Sequence, residues 1–251
     1  MTQGKSGFEL AIETSGRHGS VAVGREGRVL ASKSFVATLN HATQLVPAID
    51  EIVRAAGAAP DALHFVYVSG GPGSFTGLRV GVATARMLAL AVGAKLVRVP
   101  TFEVIARNAL RADPPPARVV VMSDAKRGHV YAATFALVGD EYHEVSPAVE
   151  ADAAEYLSAH GAAVGTAVIG DGVTEPLARA RLENFRMLPP DFARPEAAEV
   201  LALGHARARQ NRFDEPGNLI PIYVRRPEAE ERWEARNPDK QPARQDERPG
   251  G

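Results

Sequence analysis

Two carboxylates stand where chemistry could be done. Glu13 closes an apolar run at 8–14 (FELAIET), and Asp124 follows a second run at 118–123 (RVVVMS). Each precedes a glycine-containing turn, 15–19 and 125–128. Together with Gly170 and Gly172 in the later Gly-Asp-Gly stretch, the two acids could approach a nucleotide held in a cleft. Taken singly, each also reads as an exposed acid flanking a turn. The other candidate chemistry is at 69–92, SGGPGSFTGLRVGVATARMLALAV. A glycine loop entering a helix can hold an anion with its free N–H groups, helped by the helix dipole. The spacing, however, fails the sharp forms of that motif. Leu78 and Arg79 stand where a phosphate loop needs Lys and Ser/Thr, and Thr76 stands where a dinucleotide fingerprint needs glycine. A tight turn feeding a closely packed helix is the simpler reading.

The helix at 77–92 has small residues at Gly77, Gly81, Ala85 and Ala89. A glycine in mid-helix costs about 1 kcal/mol against alanine, so Gly81 points to the close approach of another backbone, in this chain or in a partner. His18, His64, His129, His143, His160 and His205 have no metal-ligand spacing to one another, and no nucleophile elbow is present.

These residues need elements to position them. Runs at 8–14, 20–24 and 28–36 read as a three-strand meander. A helix is expected over 42–56, with Leu45, Ile49, Ile52 and Val53 at helical spacing, then a strand over 63–68 and the helix at 77–92. A strand at 95–99 and a helix at 101–112, with Thr101 as N-cap, complete the set. Asp113-Pro-Pro-Pro116 is a stiff linker. Beyond it the order restarts, with strands at 118–123, 129–138 and 141–145, a helix at 152–160, a strand at 166–169 and helices at 175–182 and 194–210. The expected organisation is two α/β halves, 1–113 and 117–224, each of βββαβα type, and a tail. The architecture resembles the actin/hexokinase/Hsp70 fold, in which Glu13 and Asp124 would face one another across a cleft. From 225 to 251 the chain has seven Lys or Arg, seven Asp or Glu and four prolines, with Trp233 its one large apolar residue. That composition predicts a disordered charged tail.

Composition narrows the function. The net charge of −1 argues against nucleic-acid binding by bulk electrostatics, leaving only a local basic patch around Arg225 and Arg226. With no cysteine, disulfides, thiolate nucleophiles and cysteine-ligated metals are excluded. No apolar run approaches the length of a membrane span, and the first ten residues do not read as a signal peptide, so a cytoplasmic location is expected.

Six ordered segments carry a specific resemblance: 10–23, 41–53, 69–91 with its GPGSFTGLRVG string, 99–106, 123–135 and 221–225 (PIYVR). Across 8–225 the chain resembles the TsaB (YeaZ) family of tRNA threonylcarbamoyladenosine biosynthesis proteins. The resemblance implies a duplicated actin-like (ASKHA, ribonuclease H-like) fold. It also implies a non-catalytic role beside a TsaD-like paralogue that modifies adenosine 37 of tRNAs reading ANN codons, together with a TsaE-like ATPase. tRNA would be met only through the complex. The implied partner surface lies on helices 42–56 and 77–92, through His41, Leu45, Ile49, Ile52, Gly77, Leu78, Gly81, Ala85 and Leu88. The small-residue stripe would then admit partner helices, and a homodimer through the same surface would be its isologous version. No cofactor is required by this chain, although ATP or ADP could sit at the partner interface. The metal-binding paralogue has a His-x3-His pair; here His41 is followed four residues later by Leu45, so no metal is expected and His41 reads as a capping or packing residue. Glu13 stands where the family often has Asp. An ATP-dependent phosphotransferase or hydrolase of the same superfamily is the alternative.

Overall fold

The structure is a computed structural model and describes residues 7–36, 41–126, 128–161, 165–170 and 185–225. The expected helix at 175–182, Gly172, Arg226 and Trp233 lie outside the described residues.

The first sheet begins with β1 (Phe8–Glu13), β2 (His18–Arg25) and β3 (Arg28–Val36), and continues with β4 (Leu63–Ser69) and β5 (Lys95–Val99). Its order is β3-β2-β1-β4-β5. The first three strands pair antiparallel and β1-β4-β5 parallel. The second sheet comprises β6 (Arg118–Lys126), β7 (His129–Val138), β8 (Glu141–Asp152), β9 (Thr166–Gly170) and β10 (Arg186–Met187). Its order, β8-β7-β6-β9-β10, repeats the first sheet strand for strand. This repeat of order and direction is the duplicated actin-like fold.

Helices α1 (His41–Ala55) and α2 (Phe75–Val92) cover one face of the first sheet. Leu45, Ala48, Ile49, Ile52 and Val53 recur at helical spacing along α1 and enter that core. α2 starts two residues before the expected Gly77, because Ser74 caps it by accepting the Gly77 N–H through Oγ at 3.3 Å. α4 (Ala153–His160) packs on the second sheet, capped by the Asp152 carboxylate. β8 runs well past the expected 145, because Pro147 sits on an edge strand where its missing N–H costs nothing.

The sheets divide at the 113–116 linker, but two helices cross it. α3 (Thr101–Asn108) belongs to the first half in sequence yet buries Phe102, Ile105 and Ala106 against Val119, Val121 and Phe135 of the second sheet. α5 (Ala197–Arg209) makes the reverse journey and buries Ala197, Val200 and Leu201 against Ala11, Ala22 and Tyr67 of the first. The exchanged helices are tied to each other by Arg107–Glu199 at 2.7 Å and Arg207–Glu103 at 2.5 Å, both partly buried. Thr101 does not cap α3 as expected. Pro100 occupies the N-cap, and the Thr101 hydroxyl accepts the N–H of Gly71 at 3.1 Å.

Candidate functional site: an interlobe cleft and an outward helical face

A cleft of about 1270 Å³ opens where the β1–β2 turn, the loop before α2 and the β6–β7 turn converge. Of the residues expected to meet a nucleotide there, Asp124 and Gly170 do line it, and Glu13 does not. The two carboxylates therefore do not face one another. Glu13 is fully buried, and its carboxyl folds back so that Oε1 accepts both the N–H and the hydroxyl of Ser15 at 2.5 Å. The other oxygen, Oε2, and the buried Ser69 Oγ make no hydrogen bond of good geometry among the described residues. Burial raises the Glu13 pKa, and the hydrogen bonds from Ser15 offset this only in part. Asp124 is exposed and already engaged, accepting Lys126 N at 2.7 Å and Lys126 Nζ at 2.6 Å. Those bonds hold its carboxyl below the ordinary range. Gly170 has φ +135°, and a Cβ there would overlap the carbonyl of Met122, so this glycine serves the close approach of β9 and β6.

The sign of the Glu13 shift gives a test. A carboxyl whose folded pKa is raised binds more protons in the native state than in the unfolded one. Stability therefore falls as pH rises from the ordinary value of 4.5 toward the raised value. Glu13→Gln keeps the acceptor for Ser15 and removes the ionisation. Urea titrations across pH 4.5 to 8 are expected to show that slope flattened, with no loss of stability at pH 7.

The glycine loop is explained inside the chain. Ser74 N donates to Ser15 O at 2.7 Å, and a Cβ on Gly73 would come within 2.6 Å of the same oxygen. The loop thus lies directly on the turn that follows Glu13. Gly71, at φ +107°, faces the carbonyl of Ile222. Gly81 lies against Thr14, whose hydroxyl donates to Gly77 O at 2.8 Å. These contacts account for the motif as a packing device.

They also correct the expected partner surface. Leu45, Ile49, Ile52, Gly77, Leu78, Gly81 and Ala85 are buried in this chain, and Leu88 packs partly against the same core. His41 opens α1, with its side chain outside the described residues. The physical reason is that one helix stripe cannot cover its own sheet and a partner at once. The opposite stripe is the available one. It carries Val46 at 58% exposure, Met87 at 67% and Leu90 at 62%. Met87 and Leu90 were legible from one signal, an apolarity of α2 that exceeds what one buried face requires; Val46 on α1 had no such signal. Contrary to the expectation that no apolar run approaches a membrane span, α2 is long and apolar enough to cross one by length and composition, although its inner side is built into the core of the first lobe.

Known proteins share this fold. The family described as TsaD, tRNA N6-adenosine threonylcarbamoyltransferase, matches residues 35–163, half of the chain. An Anaeromyxobacter dehalogenans transferase of that name is 37% identical over 124 residues, 43% of this chain but only 37% of its own length. The tRNA threonylcarbamoyladenosine biosynthesis protein TsaB of Bacillus subtilis is 26% identical over 238 residues, 89% of this chain and 96% of its own. The chain belongs to the TsaB family. A Pseudomonas aeruginosa structure described as similar to peptidase YeaZ superposes with TM-score 0.77 at 26% identity, over 87% of this chain and 100% of the other. Among the described residues of this TsaB-family chain, no three His, Asp or Glu side chains gather as metal ligands.

Proposed function

We propose that the chain serves threonylcarbamoyladenosine formation on tRNA as the non-catalytic partner of a TsaD-like transferase. The observation that carries this reading is the set of exposed apolar side chains on the two helices, Met87 and Leu90 on α2 and Val46 on α1. Val46, Met87 and Leu90 leave a hydrophobic face on the first lobe that a folded protein partner would cover. The cleft gives the alternative, a phosphotransferase or hydrolase, little to work with. Its first carboxylate is buried beneath the Gly73 loop, and its second is held by Lys126. The chain by itself then needs no nucleotide and works in the cytoplasm with its partner. A homodimer would use the same stripe and compete with the heteromer.

The test is co-elution on a sizing column with the TsaD-like protein of the same organism, each protein alone serving as control. A new complex is the expected result, and its assembly is expected to raise tRNA modification. Separate elution together with ATP turnover by the isolated chain would favour the enzyme reading.

A further inference from the structure

The geometry points to a third rib on the partner face, the segment 217–223, with Ile220 and the Phe75–Arg79–Tyr223 cluster meeting the same TsaD-like protein. This rests on the reading above and extends it beyond the two helices.

The segment runs back along α2 in the opposite direction. Arg86 Nη2 donates to Gly217 O at 2.9 Å near the far half of the helix. Arg98 Nη1 donates to Ile220 O at 2.9 Å, and Ile222 N donates to Gly70 O at 2.6 Å. At the N-terminal end of α2, Tyr223 lies 5.7 Å from the Phe75 ring, and its hydroxyl accepts from Arg79 Nε at 3.4 Å. The Arg79 guanidinium also covers the Phe75 ring at 3.9 Å. Leu219 turns inward at 4% exposure and joins the core of α1 and α2, while Ile220 turns outward at 63%. The rib is therefore fixed by its main-chain hydrogen bonds, by Leu219 in the core and by Tyr223, while the Ile220 side chain stays outside that core.

Continuity identifies the occupant. Phe75, Arg79, Ala83 and Met87 follow one another at four-residue spacing along α2, with Leu90 beyond, so the cluster and the apolar stripe form one surface. Arg79 and Arg86 bond only neutral acceptors among the described residues, so their charges remain for a partner to meet. The rib thus fits a partner with an apolar centre and acidic side chains facing these arginines. Aromatic and arginine side chains of this kind are enriched among the residues that dominate binding energy.

The experiment measures calorimetric affinity of the full chain for the TsaD-like protein, comparing wild type with Ile220→Asp and Ile220→Met. Ile220→Asp is expected to weaken binding at least tenfold with an unchanged melting temperature, and Ile220→Met to bind as wild type does. Wild-type affinity in Ile220→Asp would overturn the rib, leaving the helical face intact if Leu90→Asp still loses binding. An effect of Ile220→Asp on self-association alone would overturn it in favour of a second copy. If the wild type itself does not bind, the partner reading fails and the rib with it.

Discussion

Leu90→Asp is expected to abolish co-elution with the TsaD-like partner while leaving the chain folded. Leu90 is 62% exposed in the isolated chain, so the carboxylate stays hydrated there. The cost to the folded monomer is then mainly helix propensity, about 0.5 kcal/mol. In a complex the same carboxylate would be buried against an apolar partner surface without a counter-charge. Even about 3 kcal/mol of desolvation weakens affinity more than a hundredfold. Calorimetric titration and thermal melting of the same preparation check both halves. A variant that bound normally would remove the outward stripe from the interface.

Gly81→Val should have the opposite signature, with stability lost first. A Cβ on Gly81 would overlap the Thr14 hydroxyl, which is fixed by its bond to Gly77 O. The valine must push α2 off β1 or break that buried bond. Overpacking and the lost hydrogen bond together cost about 3 kcal/mol. For a chain of this size that lowers the melting temperature by about 6–12 °C. Thr14→Ala in the same chain vacates the space and should recover part of the loss, a coupling that a double-mutant cycle measures. If Gly81→Val instead kept its melting temperature and lost only the partner, the small-residue stripe would belong to the interface after all.

The two variants mark how far the sequence could be read. Periodicity and turn residues placed the described strands and helices except the two-residue β10, and exposed the repeated order, because those signals are local. The glycine loop was legible as a tight turn, since its spacing failed the phosphate motifs. The apolar excess of α2 was also present in the sequence, but periodicity cannot say which of two apolar stripes faces home. That choice depends on where β1 lies, and only the packing of Thr14 against Gly81 decides it.

The same limit governs the acids and the exchanged helices. Glu13 and Asp124 occupy equivalent positions in the repeat, and the sequence alone made them a pair. Their difference comes from the Gly73 loop laid over one turn and Lys126 folded onto the other, contacts between segments distant in the first case and adjacent in the second. Nothing in the pattern of α3 or α5 says which sheet each covers, because an amphipathic helix carries a face and no address. By itself the sequence determined most of the described elements, their duplication and the family. The tertiary structure decided which surfaces are spent on the chain's own core and which remain for a partner, because burial is settled by long-range packing that no local pattern records.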